Sequence, residues 1–309
     1  MRAVVITKPG GPDVLAVADL PAREPGEGEV RIAVKAAAVN PTDIGLRERG
    51  GAGEPPWVPG MDAAGVIESV GPGVDRLKVG EQVMAAVSPR RPEGGGQQEQ
   101  LVVPAASVVA IPDGATLVEA ATLPMNGLTA TRGLDMLALK DGDTLAVSGG
   151  AGLLASYVIP LAKEQGLRVI ADAKPEDEAL VKSFGADVIV PRSDSFGDAI
   201  RAVAPGGADA VYDTALLRRE AFGAIRDGGQ IVVVRGWDGD EVEDRGIRVH
   251  PVFVAQVLER TEWLEHLRDL ASAGTIKLRV AGEYPPERAG DAEHAMDAGG
   301  LRGRAVIVF

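Results

Sequence analysis

The sequence predicts an α/β protein: a doubly wound parallel sheet plus a discontinuous, mostly antiparallel, barrel-like domain. Three observations carry this expectation. An apolar run ends in a glycine-rich turn that opens an apolar-faced helix, and alternating helix and strand patterns follow it. The first 118 residues, by contrast, are short β-rich runs between Gly/Pro turns.

Taken in order, residues 3–6, 30–37, 65–70, 82–86 and 100–103 read as strands of a small barrel. The glycine-rich patch at 90–98 reads as a mobile surface loop. Residues 145–147 form an apolar strand that runs into Gly149, Gly150 and Gly152. Leu154, Val158, Leu161 and Ala162 then share one helical face, with a kink expected at Pro160. Such a turn brings backbone N–H groups and a helix N-terminus to a phosphate. The spacing Gly149-x-x-Gly152-x-x-Ala155 is a relative of the dinucleotide fingerprint. A second strand at 167–174 ends where a ribose-recognising residue belongs. Helices at 176–184, 197–203 and 218–225 then alternate with strands at 188–190, 209–212 and 230–234, the last helix closing at Gly228-Gly229. Near-continuous apolar strands in this order indicate a Rossmann-type sheet with ligand at the strands' carboxyl ends. A helix at 261–273, a run at 277–281, a helix at 290–298 and a strand at 304–309 finish the chain, the last strand returning to the first domain. The expected division is residues 1–118 with 262–309 for the barrel-like domain and 119–261 for the dinucleotide-binding domain.

Composition narrows the function. A chain of 309 residues with 45% hydrophobic content supports two domains with sizeable cores. A net charge of −13 disfavours nucleic acid and anionic membranes as partners. No apolar run reaches membrane-spanning length and the first residues start a strand, so a cytoplasmic protein is expected. With no cysteine and three histidines, all late in the chain, neither a thiolate nucleophile nor a Cys- or His-rich metal site is available.

Six segments in order resemble the zinc-free branch of the medium-chain dehydrogenase/reductase superfamily, the quinone oxidoreductase and 2-enoyl reductase group. They are Val39-Asn-Pro-Thr-Asp43, residues 58–71, residues 77–83, residues 123–130, the glycine turn, and Gly303-Arg-Ala-Val-Ile-Val308. The resemblance implies a GroES-like barrel domain and hydride transfer from NADPH to a quinone or to an alkene conjugated to a carbonyl. Zinc-dependent relatives carry a cysteine where Asn40 stands and a His-Glu pair where Met61-Asp62 stands, so no metal is expected here.

Residue by residue, Asn40 reads by itself as a turn residue near the surface, and the resemblance turns its amide to the nicotinamide ribose and the substrate cleft. Asp43 reads as a cap of the following turn. Thr129 reads as a helical threonine bonding an upstream carbonyl; the resemblance places it at the nicotinamide. Gly149, Gly150, Gly152, Leu153 and Leu154 are expected at the pyrophosphate, with Thr214, Arg235 and Phe253 also carried over as cofactor contacts. Ala173 stands where NAD-preferring relatives put an acid, Asp172 is expected on the opposite face, and Lys174 with Arg192 would embrace a 2′-phosphate. Departures from the family include Gly45 in place of Tyr or Lys, Leu153-Leu-Ala155 in place of Gly-Val-Gly, Asn126, Gln97-Gln98, and Arg235 in place of glycine. They suggest a polar or narrowed pocket. Activity is expected to require no ionisable side chain near neutrality, with the proton coming from water and kcat varying little between roughly pH 6 and 8. A homodimer paired through residues 246–252 is expected, since that strand would otherwise leave an edge. The alternative to an enzyme is a cofactor-binding redox sensor with little turnover.

Overall fold

A computed structural model describes residues 1–237 and 244–309 of the chain. Two units are resolved: Met1–Met125 with Val257–Gly274 and Leu278–Phe309, and Asn126–Gln256 with Thr275–Lys277.

Period-two burial builds the first unit. β1 (Arg2–Ile6) pairs antiparallel with β2 (Leu15–Asp19). β3 (Glu29–Ala38) alternates buried and half-buried residues before ending in three enclosed alanines, as a strand with one face on a core must. There follow α1 (Pro41–Arg49), β4 (Asp62–Val70), β5 (Gln82–Ala86), β6 (Gln100–Pro104), β7 (Val108–Ala110) and α2 (Leu117–Ala120). Val30, Ile32, Ile67, Val83, Leu101 and Val108 interlock in the core.

The second unit takes most of α3 (Pro124–Leu137). It continues with β8 (Thr144–Ser148), α4 (Leu153–Glu164), β9 (Arg168–Ala173), α5 (Glu178–Ser183), β10 (Val188–Pro191), α6 (Phe196–Val203), β11 (Ala208–Asp213), β12 (Ile225–Val233) and β13 (Arg248–Pro251). All six strands are parallel, in the order β10-β9-β8-β11-β12-β13, which is the 3-2-1-4-5-6 order of a doubly wound fold. The order reverses between β8 and β11, the place at which folds of this order bind ligand beyond the strands' carboxyl ends.

The chain returns to the first unit with α7 (Thr261–Ser272), β14 (Val280–Tyr284), α8 (Ala289–Asp297) and β15 (Arg304–Val308). β15 lies between β14 and β3, so the barrel-like domain is discontinuous as expected.

Several elements differ from the sequence reading. Residues 218–224 form a 3-10 turn, and Gly228-Gly229 lies inside β12 instead of ending a helix. The register jumps from Ala208–Ile225 to Ala210–Gln230, and a Cβ on Gly229 would stand 2.8 Å from the Asp209 carbonyl oxygen. The glycines therefore serve a strand excursion. The run noted at 277–281 is strand only from Val280, in β14 to Tyr284, with a register shift between Val280 and Gly282. The end of the 90–98 patch is not a surface loop: Gly95 to Gln98 are buried, and the Gln97 carbonyl accepts from the Val4 N–H at 2.9 Å.

Candidate active site

The glycine turn sits at the strand reversal and is locked from both sides. Gly149 adopts φ +68°, and a Cβ there would lie 3.1 Å from Thr214 Oγ1. At Gly150 a Cβ would stand 2.6 Å from the Asp172 carbonyl oxygen, which leaves room only for glycine. The Thr214 hydroxyl donates to the Ser148 carbonyl at 2.5 Å, and Ser148 Oγ donates to Asp213 Oδ1 at 2.6 Å. The Asp213 carboxylate also accepts from the N–H groups of Leu217 (3.0 Å) and Arg218 (2.7 Å). It thereby holds a loop in which Leu216 and Arg218 have φ values of 62° and 55°. Non-glycine residues in this region store strain, which is characteristic of ligand-binding loops.

α4 starts at Leu153 after Gly152, and its first intrahelical bond runs from the Ser156 N–H to the Gly152 carbonyl at 3.1 Å. The N–H groups of Leu153, Leu154 and Ala155 precede that bond and, with the helix dipole, suit an anion.

Asp172 is not turned away from the turn. Its Oδ1 accepts the Gly149 N–H and, at 3.3 Å, the Gly150 N–H. Burial raises its pKa, opposed by the Gly150 N–H, then by Arg192 and by the Gly149 N–H. The first two glycines are thus clamped by this carboxylate, and the N–H groups at the start of α4 lie outside the clamp. Pro191 pairs with Ala173, and the Arg192 N–H donates to the Ala173 carbonyl at 2.8 Å. Lys174 and Arg192 therefore leave adjacent strand ends side by side. The Arg192 guanidinium is also 3.9 Å from Asp172 and about half exposed (48%).

Thr129 is buried in α3, where its carbonyl accepts the Tyr212 hydroxyl at 2.6 Å. Burial pushes the Tyr212 pKa up, keeping it a donor. Gly133 makes this docking possible, since a Cβ there would fall 2.4 Å from the tyrosine ring. Arg235, just beyond β12, is exposed at φ +61°, a backbone conformation that glycine adopts without strain. Phe253 follows β13 and is 55% exposed.

In the first unit, Asn40 is not a surface turn residue; it is fully buried. Its Nδ2 donates to Asp62 Oδ2 at 2.7 Å and to the Ala38 carbonyl at 3.4 Å, while its Oδ1 accepts from Arg304 Nε at 3.0 Å. Asp62 Oδ1 accepts the Met125 N–H at 2.6 Å, in the first turn of α3. Asp43 takes the N–H groups of Asn40 and Gly60, each at 2.8 Å, so it caps α1 as expected. Burial pushes both Asp43 and Asp62 up to about 7, against their hydrogen bonds. Behind Asp43, Arg47 pairs with buried Glu293 and donates to the Gly10 carbonyl at 2.6 Å.

Gln97 approaches the same place: its Cγ would be 3.1 Å from a Gly60 Cβ. It is 1% exposed, and its Nε2 has no hydrogen-bond partner among the described residues. Gln98 instead donates to the Glu93 and Gly95 carbonyls at 3.0 and 2.7 Å. Sequence reasoning singled out Asn40 but missed Asp62 and Arg304 as its partners; a carboxylate inside an apolar strand was the available signal.

This donor set does not suit zinc. The Asn40 amide and both Asp62 oxygens are engaged, Met61 offers only a thioether, and among the described residues no three His, Cys, Asp or Glu gather to hold a metal. Among the described residues, no helix is long and apolar enough to cross a membrane.

Comparison with known proteins matches residues 26–113 to the alcohol dehydrogenase GroES-like domain and residues 154–261 to the zinc-binding dehydrogenase family. A chloroplastic NADPH-dependent alkenal/one oxidoreductase of Arabidopsis thaliana is 32% identical, covering 99% of this chain and 79% of its own. The quinone oxidoreductase of Homo sapiens is 26% identical over 100% of this chain and 98% of its own. A mycobacterial protein solved in complex with NADPH superposes with a TM-score of 0.87 at 28% identity, covering 100% of both chains.

Proposed function

The chain belongs to the medium-chain dehydrogenase/reductase family, in its quinone oxidoreductase and 2-enoyl reductase group. From that premise we propose that it reduces a quinone, or an alkene conjugated to a carbonyl, with NADPH and without metal. The observation that carries the reading is the glycine turn at the strand reversal, opening α4 beside Lys174 and Arg192.

In this reading residues 119–261 carry the cofactor, and residues 1–118 with 262–309 carry the substrate side. Leu153 and Leu154 offer backbone N–H groups to the pyrophosphate, with Gly149, Gly150 and Gly152 shaping the turn and Thr214 bracing it. Lys174 and Arg192, beside uncharged Ala173, take the 2′-phosphate. Thr129, Arg235 and Phe253 border the nicotinamide end. NADPH, when bound, supplies the hydride that reduces the electrophilic carbon, and a proton from water completes the saturated product or hydroquinone. The chain's own part is placement and polarity. Asn40 orients the reacting groups, and the unpartnered Gln97 amide donates to the substrate oxygen as negative charge builds there. An uncompensated buried donor costs about 1–3 kcal/mol, which such a ligand would recover.

NADPH consumption with a panel of enones and quinones tests the activity. Turnover that survives chelators is expected, and cofactor binding without turnover on any of them would favour the redox-sensor alternative. We also place the protein in the cytoplasm and propose a homodimer. β13 ends the six-stranded sheet, and a second copy would cover that edge. A monomer in light scattering at micromolar concentration would remove the dimer.

A further inference from the structure

We infer that Asp62 and Arg304 are positioning residues that fix the orientation of the Asn40 amide. Asp62 does so by presenting two acceptor oxygens at once. The inference rests on the assignment of Asn40 to the reaction site.

The argument is one of hydrogen-bond polarity. An amide has a donating and an accepting end, and only its partners decide which faces which way. Here the partners are unambiguous. Arg304 can only donate, so Asn40 Oδ1 must face it, at 3.0 Å. Nδ2 then faces Asp62 Oδ2 at 2.7 Å, and this oxygen must accept. The other oxygen of Asp62 is committed to the Met125 N–H, also a donor, at 2.6 Å. A carboxylate satisfies both donors. A protonated acid places its O–H against one of them, and an asparagine places an NH2 there. Turning the Asn40 amide over relieves nothing, because Nδ2 would then confront Arg304.

The network therefore requires the ionised form, which burial resists. Asp62 is fully buried, and its pKa is pushed up to about 7 by that burial. The opposing forces are the Met125 N–H at the start of α3, the Asn40 amide and the Arg304 charge on β15. The other charged groups around it are Asp43 on α1 and, behind Asp43, Glu293 on α8 with Arg47 on α1. The amide is held below neutrality only weakly and above it firmly, so kcat/KM should rise with pH through about 7.

Asn40 and Asn126 are the two asparagines of the chain, so nitrogen-15 asparagine labelling gives two side-chain amide signals that are easily told apart. The Asn40 signal of the wild type should titrate with a midpoint near 7. In Asp62→Asn the Asn40 side-chain shift should shrink to the remnant carried by Asp43, which accepts the Asn40 N–H, and kcat/KM for enone reduction should fall ~10–100-fold while the KM for NADPH stays within the wild-type range. In Arg304→Met, which keeps Asp62 but removes its cation, the midpoint should move upward in both the resonance and the rate profile. Circular dichroism of each variant guards against misfolding, and Arg304→Met decides the question if Asp62→Asn does not fold. Wild-type kcat/KM and an unchanged pH profile in Asp62→Asn would overturn the inference. So would an Asn40 resonance indifferent to both replacements. If the wild type turns over no quinone or enone, the proposed function falls, and the resonance still judges the Asp62–Asn40 coupling.

Discussion

Replacing Asp43 by asparagine should change how stability depends on pH, by an amount the structure sets. The side chain is fully buried, with one oxygen on the Asn40 N–H and the other on the Gly60 N–H. Burial is the largest cause of its rise from an ordinary 3.8 to about 7. A folded-state value above the unfolded one means that the fold favours the protonated acid. That contribution is complete below about pH 4, is lost as pH rises towards 7, and changes no further above it. Between pH 5 and 7 the loss is about 3 kcal/mol, from two pH units at 1.36 kcal/mol each. Asparagine carries no charge at any pH, but it offers one carbonyl to two N–H donors. Its NH2 opposes the other, as the O–H of the protonated wild-type acid does at low pH, so the pH-dependent term decides the comparison. The wild type should therefore hold its greatest advantage at pH 5 and lose about 3 kcal/mol of it by pH 8, enough to level or reverse the order. Urea unfolding of both proteins at steps between these limits measures the difference, in which His250, whose own pKa is lowered, cancels. A gap that stays constant or widens with pH would refute the burial argument.

Other outcomes follow from single contacts. Lys174→Ala should weaken NADPH by about 1–3 kcal/mol and leave NADH nearly unchanged in fluorescence titrations; equal losses would remove the 2′-phosphate assignment. Gly133→Ala should destabilise the second unit by about 1–3 kcal/mol, because the added methyl would meet the Tyr212 ring at 2.4 Å and displace the hydroxyl from Thr129. A thermal midpoint equal to the wild type would contradict it. Arg47→Met should cost about 3–5 kcal/mol, since it leaves the buried Glu293 carboxylate without its cation, and Arg47→Met combined with Glu293→Met should recover much of the loss.

The parallel sheet was legible because its strands are apolar throughout and its helices keep one apolar face. α1 was not, because its buried residues include Asp43, Gly45 and Arg47, and inward-facing charges leave no apolar stripe to read. The same cause hid the candidate site. Asn40 looks like a surface turn residue until Asp62 and Arg304, distant in sequence, are seen to satisfy its amide and allow its burial. Asp172 was expected to face away from the glycine turn because strand alternation assigns a face, and it gives no sign that a carboxylate at the strand's end reaches the Gly149 and Gly150 N–H groups. The Gly228-Gly229 pair was read as a helix stop because glycine marks backbone freedom without saying which element uses it.

The placement of β15 between β14 and β3 has a consequence for the order in which the molecule can form. Arg304 meets Asn40 across 264 positions of sequence, whereas β8 to β13 are drawn from one uninterrupted stretch. On a ribosome the parallel sheet can close while β3 still waits for its neighbour, and closing so long a loop is slow. The Asn40–Asp62–Arg304 arrangement is then among the last features to appear, so a nascent or C-terminally nicked chain can hold a finished nucleotide fold and still lack the charge that orients its amide. The interval before β15 docks is also when the open edge of β3 is most exposed to pairing with another chain.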